Sequence, residues 1–437
     1  MTLLRGGMRL RAMRSSLLTR NLAAMVGGTT IAQMVILAFA PLITRIYSPE
    51  IFGVQGIFLG LISVLWPVSA LRYPMAIVVA ASDGEARGIT RLCFIVAAGV
   101  SFIVVLGLLV FQAPLEKLLK VEQLGNLIWF LPAALFLVAV QDIADFWTVR
   151  LGAFRLAGVV AALQAFLVNS ARVAGGLVQP AAFILVSVTT VSYGMQALLL
   201  RLGIKRHLGS RTTDHEETLP SRALLIKYGD FPLYRMPADL ISAAAQTVPV
   251  FLLTILFSPA ATGIYVLARS VVSLPLGFVG TAIGNVLYGR IATIAREQTP
   301  IFPFVLKATL AQLLLPAGAT AAAAIFFPTL FAFVFGEPWR MAGDFAQWMA
   351  LWVVGMLANI PSVRALPVIG KNRLHLVFNS LILLFGCLGM YFGYTVWHSA
   401  LGAVACYSIV TAALYGLQIF VYLFAIHRHD RKMTLHE

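Results

Sequence analysis

Apolar stretches of about twenty residues follow one another along this chain, and they leave it one kind of structure to form. A helix of that length crosses the hydrocarbon core of a bilayer. Inside that core every backbone N–H and C=O must be paired within the segment or within a closed barrel. The strict alternation of a lipid-facing barrel is absent, so the stretches read as membrane-spanning α-helices. Composition agrees: 60% of the residues are hydrophobic and only 11% are charged, where a water-soluble domain carries about 25% charged residues. The pattern places twelve spans, at roughly 22–43, 54–81, 92–111, 124–141, 156–175, 178–200, 231–257, 263–288, 302–327, 344–369, 374–396 and 400–426.

Two short strings repeat within this frame. Ser48-Pro49-Glu50-Ile51-Phe52-Gly53 and Ser258-Pro259-Ala260-Ala261-Thr262-Gly263 share the pattern S-P-x-x-x-G, 210 positions apart. Leu151-Gly152-Ala153-Phe154-Arg155-Leu156 pairs with Ile369-Gly370-Lys371-Asn372-Arg373-Leu374 at an offset of 218. The chain therefore reads as two similar halves in tandem. Each half holds six helices, an even number, so the repeat is parallel rather than inverted. The expected fold is an all-α integral membrane protein, with twelve transmembrane helices in two pseudo-symmetric six-helix lobes around a central cavity. Its parts are a tail over 1–21, an N-lobe over 22–200, a linker over 201–229, a C-lobe over 230–426 and a tail over 427–437. Internal repeats of hydrophobic helices with the substrate between the halves are a transporter arrangement.

Charge sets the expected orientation. Most of the 32 Lys and Arg residues fall on one side of the spans, from the N-terminal Arg5, Arg9, Arg11, Arg14 and Arg20 to Arg428, Arg431 and Lys432. The other side holds Arg45, Lys117, Lys120, Arg172 and Arg340. The positive-inside rule then puts both termini and the 201–229 linker in the cytoplasm. The net charge of +15 is accounted for by basic loops facing anionic lipid, with no nucleic-acid partner. The Arg-rich first twenty residues lack the apolar core of a cleaved signal peptide, and the first long helix is expected to serve as an uncleaved anchor. Cys93, Cys387 and Cys406 lie in or beside apolar segments without metal-ligand spacing and read as small buried hydrophobes. No loop has room for a catalytic domain. A phosphate-binding glycine loop, an HExxH and a nucleophile elbow are all absent from the sequence. The chemistry expected is movement rather than bond making, with no cofactor beyond a coupling proton or Na⁺.

Charges within the spans mark the expected site. Arg72, Arg235, Arg269 and Arg364 all fall there, and an Arg near the bilayer centre costs about 2.5–3.5 kcal/mol on insertion scales. Arg235 and Asp239 are four apart and can pair along one helix, while Arg364 is placed to snorkel toward a helix end. Arg72 and Arg269 have no carboxylate at helical spacing, which points to a water-filled cavity around them. Guanidinium forks bind phosphate bidentately, so an anionic, phosphorylated substrate is expected. Asp239 either neutralises Arg235 or carries a coupling ion. Trp66, Tyr73, Tyr234 and Tyr265 lie near these charges and can stack on sugars, anchor at the interface or pack in the core. Pro67 and Pro275, 208 apart, mark matching kinks that suit rocking between inward-open and outward-open states.

An ordered set of strings resembles the polysaccharide transporters of the multidrug/oligosaccharidyl-lipid/polysaccharide exporter superfamily, the O-antigen-type flippases. It comprises Ile43-Thr44-Arg45-Ile46-Tyr47-Ser48-Pro49-Glu50-Ile51-Phe52-Gly53, Ala70-Leu71-Arg72-Tyr73 and Lys227-Tyr228-Gly229-Asp230-Phe231-Pro232-Leu233-Tyr234. Gly263-Ile264-Tyr265-Val266-Leu267-Ala268-Arg269, Leu274-Pro275-Leu276, Phe335-Gly336-Glu337-Pro338-Trp339-Arg340 and Ile369-Gly370-Lys371 complete it. The resemblance covers nearly the whole chain. It implies a flippase that moves an undecaprenyl-pyrophosphate-linked oligosaccharide across the bacterial inner membrane, alongside glycosyltransferases and a polymerase. It also implies a cationic cavity between two lobes. Similar sequences follow the Arg-Tyr pair with an acidic residue, where Pro74 stands here, which puts ion coupling at that position in doubt. Other readings stay open: a membrane polysaccharide polymerase or ligase, a drug exporter, or a peptidoglycan-precursor flippase of the same superfamily. The short outer loops weigh against the first and the intramembrane arginines against the second.

Overall fold

A serine followed by proline opens a helix, and a glycine after an apolar run closes one. Both repeated strings are built from these devices. The computed structural model describes residues 27–119, 124–208, 220–274, 284, 287, 290–291, 293–295 and 297–433. Its helices are α1 Gly27–Ile46, α2 Pro49–Ser69, α3 Ala76–Val79, α4 Asp83–Leu119, α5 Phe130–Arg150, α6 Phe154–Val178 and α7 Ala182–Leu208. They continue with α8 Ser221–Lys227, α9 Met236–Leu256, α10 Pro259–Val272, α11 Phe302–Phe335, α12 Arg340–Ala365, α13 Asn372–Trp397 and α14 Ala400–Met433. No β-strand occurs among the described residues.

Ten of these segments are long and apolar enough to cross a membrane. The remaining apolar helical segments among the described residues are shorter: Pro259–Val272, Phe302–Leu314 and Ala324–Phe335. The tail 1–21, residues 209–219 of the linker, residues 434–437 of the second tail and Pro275 lie outside the described residues. One expected span is corrected. The stretch 54–81 is not a single helix, because α2 ends at Ser69 and the chain turns through Leu71 and Arg72, both at positive φ (49° and 60°). A 3₁₀ turn over Tyr73–Met75 and the short α3 follow. Pro74, inside that 3₁₀ turn, has no N–H with which to continue the ladder of α2.

The chain forms two compact units. The first comprises the described residues of Met1–Tyr47, Phe58–Leu118 and Glu122–Leu240, and the second those of Ser48–Ile57, Leu119–Val121 and Ile241–Glu437. Tyr73, Ala76, Ile77, Ile89, Leu92, Cys93 and Ile143 form a buried cluster in the first unit. Ile291, Ile301, Val305, Ala365, Leu366, Phe378, Tyr422 and Ile426 do so in the second. The first unit's α4 buries Leu92, Cys93 and Ala97 yet exposes Phe102, Ile103, Leu109, Val110 and Phe111, an apolar face suited to lipid. Of the three cysteines only Cys93 is fully buried; Cys387 and Cys406 are half-buried, and all three are free thiols.

The repeated strings occupy matching places. The Ser48 hydroxyl accepts from the Ile51 N–H and the Ser258 hydroxyl from the Ala261 N–H, so each serine caps the helix that its proline begins. The glycines make one reciprocal contact in the second unit. A Cβ on Gly53 would lie 1.8 Å from the Pro259 carbonyl oxygen, and one on Gly263 would lie 1.9 Å from that of Pro49. Residue pairs that exchange in this way are related by a local two-fold. Gly152 (φ 65°) and Gly370 (φ 68°) end their helices in the left-handed region. In each turn the next N–H bonds back five residues, Ala153 to Thr148 O at 3.0 Å and Lys371 to Leu366 O at 2.9 Å, which is the Schellman closure.

Candidate functional site

An arginine in an apolar segment needs a counter-charge, and in the first unit the chain brings two to Arg72. The Arg72 side chain is 11% exposed, with Nη1 3.5 Å from Asp142 Oδ2 and Nε 2.8 Å from Asp239 Oδ2. The guanidinium carbon lies 4.4 Å from the centre of the Trp66 ring. Trp66 in turn donates its indole N–H to Asp142 Oδ2 at 2.9 Å. Asp239 also takes Arg235, whose Nε donates to the same Oδ2 at 3.2 Å. The arrangement is Trp66–Asp142–Arg72–Asp239–Arg235, two cations and two anions. Arg72 Nε is close to Asp239 but finds no hydrogen bond of good geometry. Its pairing there is coulombic, and its best donor direction stays unused.

The backbone under this cluster is irregular in two places. Arg72 sits in the left-handed region behind Leu71, a conformation that costs on the order of 1–3 kcal/mol per non-glycine residue and gathers at functional sites. Arg235 ends a π-helical turn over Phe231–Arg235, and Asp239 falls in the first turn of α9 that follows. Nearby contacts hold the broken segment. Arg150 Nη1 donates to Ile77 O at 2.8 Å and Ala80 O at 2.9 Å, and its Nε donates to Asp83 Oδ1 at 3.0 Å. Lys227 pairs with Glu85, and that carboxylate keeps the Lys227 ammonium above its ordinary range.

The structure thus joins Arg72, Arg235 and Asp239, which the sequence marked separately. It adds Asp142, which the sequence did not mark. Arg72 is therefore not the uncompensated cation expected. Its carboxylates come from α5 and α9 rather than from its own helix, where spacing alone would have revealed them. Arg269 and Arg364 belong to the second unit. Arg269 is half-buried and donates Nη1 to Gln246 O, and Arg364 lies half-buried over Gly284. Tyr73 is buried, with its hydroxyl donating to Leu225 O at 3.3 Å, and Tyr265 is buried at 1% exposure. Tyr234, 73% exposed, is the one of the three with an open ring face. Among the described residues no group of His, Cys, Asp and Glu is arranged to hold a metal ion.

A family model described as "Polysaccharide biosynthesis protein" matches residues 42–343. The chain belongs to this family. No curated protein matches. Among solved structures, an inward-facing MATE family multidrug transporter of the MOP superfamily aligns over 95% of this chain and 99% of its own, with a TM-score of 0.72 at 12% identity. The lipid II flippase MurJ in an inward closed conformation aligns over 94% and 90%, with a TM-score of 0.72 at 10% identity. The Vibrio cholerae MATE transporter VcmN in its bent form aligns over 96% and 98%, at 0.55 and 15%. At these identities the likeness shows the fold. The chain is a multi-pass membrane protein with the all-helical fold seen in these solved transporters.

Proposed function

We propose that this family member is a flippase for an undecaprenyl-pyrophosphate-linked oligosaccharide. It would carry that lipid from the inner to the outer leaflet of the bacterial inner membrane by alternating access, in O-antigen or exopolysaccharide synthesis. The observation that supports this most is the Asp142–Arg72–Asp239–Arg235 cluster set on broken helix in the first unit. A cluster that is internally neutral can stay in an apolar setting. A pyrophosphate entering it takes guanidinium donors bidentately and displaces the carboxylates. In this reading Arg269 and Arg364 also bind the anionic substrate, and Tyr234, whose side chain is exposed, stacks on sugar. No bond is made or broken. The working partners are the glycosyltransferases that build the lipid-linked glycan and the polymerase that consumes it.

Asp239 is the branch point of the cluster and has two readings, plain neutralisation or carriage of a coupling proton or Na⁺. Transport of a lipid-linked oligosaccharide in proteoliposomes separates them. Under neutralisation, Arg235→Gln and Asp239→Asn each lower transport about tenfold, a barrier change of roughly 1.4 kcal/mol, and the double variant recovers most of it. Under coupling, the double variant stays indifferent to a pH or Na⁺ gradient. Wild-type transport in both single variants would remove this pair from the mechanism.

The charge distribution supports an orientation with both termini cytoplasmic. Reporter fusions are expected to place the termini and the 201–229 linker in the cytoplasm and Ser48 and Ser258 in the periplasm. Ser48 and Ser258 on opposite faces would overturn the orientation and the parallel repeat together.

A further inference from the structure

A carboxylate in a membrane-spanning segment is costly unless it is paired, and the proposed site leaves one such group unused. Asp145 lies in the apolar segment Gly125–Arg150, and among the described residues it has no ion-pair partner. Its partners there are two amides. Gln141 Nε2 donates to Asp145 Oδ2 at 3.5 Å, and Gln196 Nε2 donates to Oδ1 at 3.3 Å. Both bonds are long, and a carboxylate with good donors draws them in to about 2.7–2.9 Å. The Gln141 side-chain oxygen is buried with no donor at all. Gln141 and Asp145 come from α5 and Gln196 from α7. Gln196 sits across α7 from the exposed Val191 and Leu198, so the cluster is turned away from that helix's lipid-facing side.

The cluster has hydrogen-bonding capacity to spare in both directions. An ionised carboxylate offers about four lone-pair positions, and here two are taken by long bonds. Each glutamine amide has a second N–H beyond the one it gives to Asp145. A guest that both gives and takes protons at neighbouring atoms matches this set. Sugar hydroxyls and the N–H and C=O of an N-acylamino sugar do so, whereas an ammonium would use the acceptors and waste the amide donors. A sugar carboxylate would bring a second negative charge up to Asp145, which like-charge repulsion disfavours.

The position of the cluster says which sugar it would meet. Asp142, which holds Arg72 at 3.5 Å, precedes Asp145 by three residues on the same helix. That spacing puts both on one face, with a rise of about 4.5 Å between them. In a pyrophosphate-linked glycan the first sugar is bonded directly to phosphate. A phosphate at Arg72 therefore brings that sugar to Asp145.

We infer that Asp145, Gln141 and Gln196 form the subsite for the first sugar of the transported glycan, and that this sugar is uncharged. The place of the sugar in the glycan rests on the phosphate reading of Arg72; the preference for an uncharged sugar rests on the cluster alone.

The test is calorimetric binding to the purified full-length protein in phosphatidylcholine nanodiscs at pH 8, above the ordinary carboxylate range. The phosphate probes are methyl phosphate and the 1-phosphates of glucose, N-acetylglucosamine and glucuronic acid. The wild type is expected to bind at least one uncharged sugar phosphate about tenfold more tightly than methyl phosphate, the effect of one or two added hydrogen bonds. Glucuronic acid 1-phosphate should bind no more tightly than methyl phosphate. Gln196→Leu should lose the sugar preference and keep its affinity for methyl phosphate. Asp145→Asn, at an unchanged melting temperature, should accept glucuronic acid 1-phosphate as well as the uncharged sugars. Equal affinity for all four probes in the wild type would overturn the inference, as would a preference for the uronate or a sugar preference unchanged in both variants. The methyl glycosides of glucose and N-acetylglucosamine separate this from the reading it rests on. Their binding, lost in Gln196→Leu, without any binding of methyl phosphate would fault the phosphate role of Arg72 and keep the sugar subsite. Binding of no sugar probe at all would overturn the subsite.

Discussion

Arg72→Gln is expected to lower the abundance of folded protein and to abolish transport of the lipid-linked glycan. Two carboxylates depend on this guanidinium, Asp142 at 3.5 Å and Asp239 at 2.8 Å. Removing one partner of a buried ion pair costs about 3–5 kcal/mol, because the other charge stays behind. Asp239 keeps Arg235 as a partner, whereas among the described residues Asp142 keeps only the Trp66 indole N–H. Most of the penalty therefore falls on Asp142. Arg72→Gln combined with Asp142→Asn is expected to recover abundance, since no stranded charge remains, and to leave transport lost, since the phosphate ligand is gone. Arg72→Lys should fold, keeping the charge, and transport poorly. An ammonium lacks the planar fork that takes a phosphate bidentately, and it loses the guanidinium carbon now 4.4 Å from the Trp66 ring centre. Abundance is read by quantitative blotting of membranes, and transport by glycan reaching the outer leaflet. Full transport in an Arg72→Gln variant of normal abundance would remove Arg72 from substrate handling.

How much of this could be read from the sequence depends on the range of each contact. Long apolar runs disclose membrane helices because one segment satisfies its own backbone. The Arg235–Asp239 pair was legible because it spans one helical turn. The Arg72–Asp142 pair was not, since 70 positions separate the partners and no periodicity links them. The break at Leu71–Arg72 was hidden for a related reason. Pro74 announced a disturbance, but left-handed geometry in two consecutive non-glycine residues is imposed by the surrounding packing and not by local preference. Tyr73 and Tyr265 show the same limit from the other side: a tyrosine beside an arginine reads alike whether its ring is open or buried, and here both are buried. The S-P-x-x-x-G strings were found as a repeat, yet their role became clear only with the contact between the copies.

That contact carries the second large effect. Gly53→Ala and Gly263→Ala are each expected to reduce the yield and thermal stability of the purified protein sharply. The added atom is the Cβ itself, which no change of rotamer can move. It would meet a backbone oxygen at 1.8 Å in one case and 1.9 Å in the other. Ordinary contact needs about 3.5 Å, so the two helix starts would have to separate. Overpacking in a tight core costs about 1–3 kcal/mol when side chains can yield, and here only backbone is available to yield. Separation would also disturb the edge-to-face packing of Phe52 on Trp339, with ring centres 5.0 Å apart, and the seat of Val266 over Gly56. The local two-fold makes a sharper forecast. Both substitutions push the same two elements apart, so the double variant should lose less than the sum of the single losses. Gly99→Ala and Gly107→Ala on α4 are the matched controls. Nothing lies within 4 Å of a Cβ at either position, and replacing glycine in a helix gains roughly 0.5–1 kcal/mol. Both controls should melt at or above the wild-type temperature. A Gly53→Ala variant that melts alongside them would mean that the motif glycines mark only common ancestry of the two halves, and that the close crossing does not hold them together.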